Sequence, residues 1–369
     1  MQFITLFQNL PMFSDAPHLV FWEMTKACPL TCLHCRANSL TSRLPDELTT
    51  EEAKNFLREL PPRTVVIFTG GDPLIRDDLI ELISFSRSLG LIPSVAPAPS
   101  KSLIEKIDLL KKAGASSISI SIDGATSETH DKLRGYGNFN YAIQSAKRGV
   151  EVGLGVQINT VIWRESFTEL PRMVKLLKEL GVKVWEVFFL IPVGRGKYSL
   201  DIDYSNYMDV IQFLVDVTTY GIAVRTVEAP FFRRALLERS EGKTYESPTY
   251  IKMINELRSL QGNPINPPQK STLPTRDGSG IIFISYNGDV YPSGFLPLRL
   301  GNIREKSLLS IYRENPILKK IREEKMGGRC GKCEFSIICG GSRARAYTLS
   351  KDPFAEDPLC PYFTTESLA

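Results

Sequence analysis

From about residue 19 to residue 192, short β-branched apolar runs alternate with stretches whose apolar residues recur at helical spacing. The runs, over 19–21, 64–68, 91–95, 117–122, 156–162 and 182–191, are predicted as strands. The helical stretches lie over 51–60, 78–89, 103–113, 140–152 and 167–180. Thr50, ahead of Glu51 and Glu52, reads as a cap that places acid in a first turn. Gly90, Gly114, Gly153 and Gly181 follow the ends of helices, where a left-handed residue closes the last turn. Strands joined through helices predict an α/β fold with a parallel sheet and right-handed crossovers. A partial barrel and a doubly wound sheet both satisfy the pattern.

Residues 204–269 read as helical and loop material, and 262–279, rich in Pro, Asn and Gly, as a linker or lid. From Gly280 the sequence Gly-Ile-Ile-Phe-Ile-Ser-Tyr-Asn-Gly-Asp-Val-Tyr predicts a hairpin turning at Asn287-Gly288, followed by short helices over 307–313 and 316–324. The expected units are therefore 1–200, 201–279 and 280–369.

Composition narrows the class. A net charge of +4 on 369 residues, with basic and acidic residues intermixed, gives no case for nucleic acid. No run of about 18 apolar residues exists, so no membrane partner is expected. Residues 1–10 are apolar but lack a basic leader and a small-residue cleavage site, and read as an arm or edge segment rather than a signal peptide. A cytoplasmic location follows, and there cysteines serve as ligands more often than as disulfides.

The seven cysteines fall in two groups, with none between Cys35 and Cys330. Cys28, Cys32 and Cys35 share one short loop after the first strand. Three thiolates can hold three irons of a four-iron cluster and leave the fourth without a protein ligand, and an open position points to chemistry. Cys330, Cys333, Cys339 and Cys360 give four thiolates, enough to saturate a metal. A zinc ribbon and a fully ligated [4Fe–4S] centre both fit that spacing.

In a parallel sheet of this kind ligands bind at the carboxyl ends of the strands. The second strand ends in Thr69-Gly70-Gly71-Asp72-Pro73-Leu74, where glycines admit close backbone approach and Asp72 can accept from an ammonium group. Taken alone the string is also an ordinary tight turn. Beside an open cysteine triad it resembles the radical S-adenosylmethionine (SAM) superfamily. That family has an aromatic residue before the third cysteine and a glutamate in the turn; here His34 and Asp72 stand in those places. The resemblance implies a partial (β/α)6 TIM-like barrel and a [4Fe–4S] cluster on Cys28, Cys32 and Cys35. It also implies SAM held near Gly70, Gly71, Asp72 and Pro73. The Ser121-x-Asp123 strand end, Arg134 and Asn159 are implied near the ribose, the SAM carboxylate or the substrate, and the Pro192–Gly196 turn is a weaker candidate. Ser121 and Asp123 also suit turn capping, and Arg134 a solvated surface charge. The implied chemistry is one-electron cleavage of SAM, giving a 5′-deoxyadenosyl radical that removes hydrogen from a substrate. It needs an electron donor such as ferredoxin or flavodoxin.

The tail resembles a SPASM domain, whose second auxiliary [4Fe–4S] cluster has ligands matching Cys330, Cys333, Cys339 and Cys360. The full pattern has seven cysteines. Here Ser293 stands where the first auxiliary cluster would begin, and Arg343 lies four residues after Cys339, so one auxiliary cluster is expected. The strings Cys339-Gly-Gly-Ser-Arg-Ala-Arg-Ala-Tyr and Ser293-Gly-Phe-Leu-Pro-Leu resemble the branch that makes heme and heme d1. That implies a small-molecule substrate, a tetrapyrrole propionate side chain, with Arg343 and Arg345 either pairing its carboxylates or serving local charge balance. A maturase acting on a ribosomal peptide, and a non-catalytic iron–sulfur or zinc protein, are the alternatives.

Overall fold

The computed structural model describes residues 13–270, 272–323 and 326–363; the segment 1–10 and its expected role as an arm lie outside them. Six strands follow the predicted runs: β1 Leu19–Glu23, β2 Val65–Thr69, β3 Ile92–Val95, β4 Ser117–Ser121, β5 Gly155–Ile162 and β6 Val184–Phe189. Each pairs in parallel with the next. The helices between them are α1 Thr50–Glu59, α2 Leu79–Ser88, α3 Lys101–Ala113, α4 Ser127–Arg134, α5 Asn138–Glu151 and α6 Leu170–Glu179. The cap of α1 is Thr49 rather than Thr50: its hydroxyl accepts from the Glu52 amide while Glu52 accepts from the Thr49 amide, a reciprocal capping box. Gly90, Gly114, Gly153 and Gly181 all take positive φ.

Before residue 270 one helix and one strand exceed the expectation. Helix α4, Ser-Glu-Thr-His-Asp-Lys-Leu-Arg, is too polar to show a periodic stripe and is started by the Thr126 cap. A seventh parallel strand, β7 Ala223–Val227, extends the sheet beyond β6. Its alternate residues Ala223 and Arg225 are exposed, as on a sheet edge, so it lacks the continuous apolar run of an inner parallel strand. Helices α7 Tyr207–Val217, α8 Phe232–Ser240 and α9 Pro248–Gln261 flank it.

The C-terminal part comprises β8 Arg276–Asp277, β9 Gly280–Ile284, β10 Asp289–Tyr291, β11 Gly301–Asn302, α10 Leu308–Glu314, α11 Pro316–Arg322, α12 Gly328–Lys332 and α13 Arg343–Ser350. The expected hairpin pairs β9 with β10 around Gly288. Strand β9 also pairs in parallel with β1, so the sheet runs unbroken in the order β11-β10-β9-β1-β2-β3-β4-β5-β6-β7. Among the described residues no helix is long and apolar enough to cross a membrane.

Strand alternation divides the sheet into two chemically different faces. Val20, Trp22, Phe68, Ile118, Ile120, Ile158, Trp185 and Val187 are fully buried under the helices. Trp22 meets Phe56 of α1 edge-on, with ring centres 5.2 Å apart. Each such side chain contributes on the order of 1.5–3 kcal/mol of burial free energy. The opposite face carries Glu23, Thr69, Ser94, Ser121, Asn159 and Glu186 among apolar residues such as Phe21, Ile67 and Phe188, so polar groups recur from strand to strand along it.

Candidate active site

The first cysteine loop leaves the end of β1 and is held on three sides. The Gly-Gly-Asp turn after β2 zips onto it: Gly71 N–H donates to Thr25 O at 2.7 Å, and Asp72 N–H to Ala27 O at 2.7 Å. A Cβ on Gly70 would sit 2.5 Å from Thr25 O, and one on Gly71 2.1 Å from Ala27 O. The two glycines therefore admit the cysteine loop's own backbone. On a second side, Leu33 N–H donates to Leu133 O of α4 at 2.9 Å. On the third, Arg195 donates from Nε to Cys32 O at 2.9 Å, from Nη1 to Ser39 O at 3.0 Å and from Nη2 to Ser39 Oγ at 3.1 Å. Its amide donates to Cys35 O at 2.9 Å. This clamp lies in the Pro192–Gly196 turn, a weak candidate from sequence.

All three loop cysteines are free thiols. Burial pushes Cys28 up to about 12 and also raises Cys32. For Cys35 burial is outweighed by hydrogen bonding at Ser39 and by the Arg195 charge, and its net shift is downward. Cys28 is raised further by the charges of Cys32 and Cys35, and Cys32 by that of Cys35. A cation there is what would turn buried thiols into thiolates. Among the described residues no three Cys, His, Asp or Glu converge at the spacing of a single ion. A cluster is larger than an ion and asks its ligands to stand apart.

The predicted companions are placed unequally. Asp72 is buried and spends Oδ1 on Leu74 N at 3.1 Å and Ala98 N at 3.4 Å, and burial pushes its carboxyl up to about 6. Pro73 starts the short turn that Asp72 caps. Asp123 is fully buried: Oδ1 accepts from Val161 N at 2.8 Å, and Oδ2 is paired with Arg134 Nε. Burial works against its ionisation, but the Arg134 charge wins and holds it below the usual carboxylate range. Arg134 also donates to His34 Nε2 at 3.3 Å, so it is a buried link rather than a solvated charge. Ser121 and Asn159 sit side by side in register on β4 and β5. Asn159 Oδ1 accepts from Gln157 Nε2 at 2.8 Å, and the same nitrogen donates to Glu186 at 3.0 Å. Glu186, raised by burial, was missed from sequence; its signal is a lone acid at an alternating position in Val-Trp-Glu-Val-Phe-Phe.

At the other end of the chain, Cys330, Cys333, Cys339 and Cys360 line one pocket, together with Gly340 and Gly341. All four are free thiols. Burial pushes Cys339 up to about 12 and raises Cys330 and Cys360. Cys330 Sγ accepts from Asp357 N at 3.2 Å and lies 3.9 Å from Arg343 Nη2. Four sulfurs around a single cavity, with a cationic donor beside one of them, fit a closed iron–sulfur cluster. Arg343 and Arg345 are 1% exposed. Arg343 spends its donors on Pro353 O and Ala355 O, and Arg345 on Asp357 and Glu228 O. Both serve local charge balance. Ser293 is buried and bonds Asp277.

These features agree with the relatives of the chain. The radical SAM superfamily matches residues 22–201, and an iron–sulfur cluster-binding domain, SPASM, matches residues 276–334. An AdoMet-dependent heme synthase of Methanosarcina barkeri is 33% identical over 95% of this chain and 97% of its own length. An Fe-coproporphyrin III synthase of the same organism is 28% identical over 98% of this chain and 92% of its own. The crystal structure of Streptococcus suis SuiB bound to precursor peptide SuiA superposes with a TM-score of 0.67 at 18% identity. It covers 97% of this chain and 79% of that one, a likeness of fold.

Proposed function

The chain belongs to the radical SAM superfamily and carries a SPASM region, and on that premise we propose that it acts on a propionate side chain of a tetrapyrrole, removing or oxidising the carboxylate-bearing arm. The observation that carries this reading is the 33% identity to a heme synthase along nearly the whole of both chains. Residues 1–200 form the radical-generating core, 201–279 a connector and 280–369 the part that holds one auxiliary cluster.

Cys28, Cys32 and Cys35 hold the [4Fe–4S] cluster that binds SAM, and the bound pair supplies a carbon radical able to take hydrogen from an unactivated C–H bond. The chain's own residues fix and shield that event. The Gly70-Gly71 turn and the Arg195 clamp hold the cysteine loop at one height above the strand ends. Asp72, with Oδ1 already committed, has Oδ2 for the ammonium of SAM. Ser121 and Asn159 offer hydroxyl and amide groups to the ribose, while the Asp123–Arg134–His34 knot braces the loop from α4. Cys330, Cys333, Cys339 and Cys360 hold the single auxiliary cluster, closed to substrate, in an electron-transfer or bracing role. Reducing equivalents come from a small donor such as ferredoxin or flavodoxin.

The test is anaerobic. The reconstituted protein is reduced with dithionite and given SAM with and without iron-coproporphyrin. Formation of 5′-deoxyadenosine, with a porphyrin product lighter by one or more carboxyl groups, is the expected result. Deoxyadenosine that never depends on porphyrin, together with an unchanged porphyrin mass, would refute the substrate. Deoxyadenosine formation that rises only with an encoded peptide would reassign the enzyme to peptide maturation.

A further inference from the structure

Three arginines touch the first cysteine loop, and they are bonded very differently. Arg195 has every nitrogen on a loop oxygen at 2.9–3.1 Å. Arg134 is locked to the buried Asp123. Among the described residues the side chain of Arg36, the residue after Cys35, makes only two hydrogen bonds, both long: 3.5 Å to Gly294 O and 3.5 Å to Glu23 Oε1. Charge-assisted hydrogen bonds normally close to about 2.7–2.9 Å. Its side chain is 21% exposed, and among the described residues its Nε has no hydrogen-bond partner. Glu23 is held from its other side as well, where Oε2 accepts from Ser285 Oγ at 3.0 Å.

The surroundings of Arg36 are specific. Its guanidinium lies 4.6 Å over the ring of Phe283, on β9. Gly294 packs against its flank, where a Cβ would come 3.1 Å from Nε. The next residue, Phe295, reaches across to Phe188 of β6, with ring centres 6.2 Å apart. The segment that begins at Ser293 thus runs from Arg36 on one side of the strand ends to β6 on the other. It brings a loosely held cation and three aromatic rings to the same mouth.

We propose that Arg36 is the anchor for a substrate carboxylate, with Phe283, Phe188 and Phe295 receiving the planar apolar part of the same molecule. The inference rests on the tetrapyrrole reading above and names the residue that selects its acidic side chains. Glu23 prepositions the guanidinium without saturating it. A propionate can then close a paired N–H···O contact that Gly294 O and Glu23 hold only at long range. Gly294 is the positioning residue, since a Cβ there would come 3.1–3.2 Å from the guanidinium end of Arg36 and press it out of place.

The experiment is an absorbance titration of the reconstituted holoenzyme with iron-coproporphyrin and with its tetramethyl ester, without SAM or reductant. Iron content is measured on every variant. Wild type should bind the acid, and Arg36→Gln should bind it about ten- to a hundredfold more weakly while binding the ester as wild type does. Arg36→Lys, which keeps charge but not the fork, should recover part of the loss. Gly294→Ala should weaken the acid with Arg36 still present. If Arg36→Gln binds the acid as wild type does, or weakens acid and ester equally, Arg36 is not the anchor and the tetrapyrrole reading survives. If wild type binds neither compound, the tetrapyrrole reading itself fails, and the anchor with it.

Discussion

Glu228 is an acid placed where an acid is costly. It follows β7 with φ at +59°, a left-handed conformation that a non-glycine residue adopts only under constraint. The constraint is visible: its carbonyl accepts from Arg345 Nη2 at 2.6 Å and its carboxyl bonds the Ser342 hydroxyl. Burial, and then the nearby Asp277 and Asp357, push its carboxyl well above the ordinary value of 4.5, and Arg345 only partly offsets them. The sign follows from linkage: the folded state prefers the protonated form, so the stabilisation is complete below the ordinary value and is lost as pH climbs through the raised one. Between about pH 5 and pH 8 the thermal midpoint of the wild-type protein should fall with rising pH, and the fall should level off above that window. Glu228→Gln should flatten that slope, because the amide mimics the protonated acid. An unchanged slope in the variant would show that Glu228 is already ionised at neutral pH.

At the scale of elements, the cysteine loop owes its shape to parts of the chain far from it. Its three sulfurs were legible from sequence because spacing within one loop is local information. So was the Gly-Gly-Asp turn, though the glycines are explained by the loop backbone pressed against them. The Arg195 clamp left no such mark, since nothing near residue 195 announces that its guanidinium is spent on Cys32 and Ser39. The same holds for α4 and β7. One is too polar to show a stripe, the other is a short edge strand, and both are fixed by tertiary pairing. The loop–turn zipper gives a sharp prediction. In Gly71→Ala the new Cβ would meet Ala27 O at 2.1 Å, and the hydrogen bonds from Gly71 and Asp72 must open. We expect a loss of roughly 3 kcal/mol in stability and faster iron release from the first site under chelator challenge, read by the decay of cluster absorbance. An iron release rate equal to wild type would mean the turn is not what holds the loop.

For the whole molecule, the sheet is the connection that matters. Because β9 pairs with β1, and β1 runs directly into the first cysteine loop, the C-terminal hairpin is hydrogen-bonded to the strand that leads into that loop. The tail cysteines reach the same frame from the other end: Arg345 bridges Asp357, whose amide bonds Cys330 Sγ, to Glu228 at the end of β7. Two iron sites anchored to different strands of one sheet, β1 and the edge strand β7, should load independently, since neither group supplies a ligand to the other. Two [4Fe–4S] clusters correspond to about eight irons per chain. Changing Cys28, Cys32 and Cys35 together to Ala should leave about half of that iron and remove the SAM-dependent change in the electron paramagnetic resonance signal. The residual signal should be insensitive to SAM, because four sulfurs leave no open iron. Zinc in the tail of the triple variant would replace the auxiliary cluster with a structural ion. About twelve irons in the wild type would require a second auxiliary cluster, which would need ligands other than Ser293, whose hydroxyl is committed to Asp277 and to the amide of Phe295 at 3.2 Å.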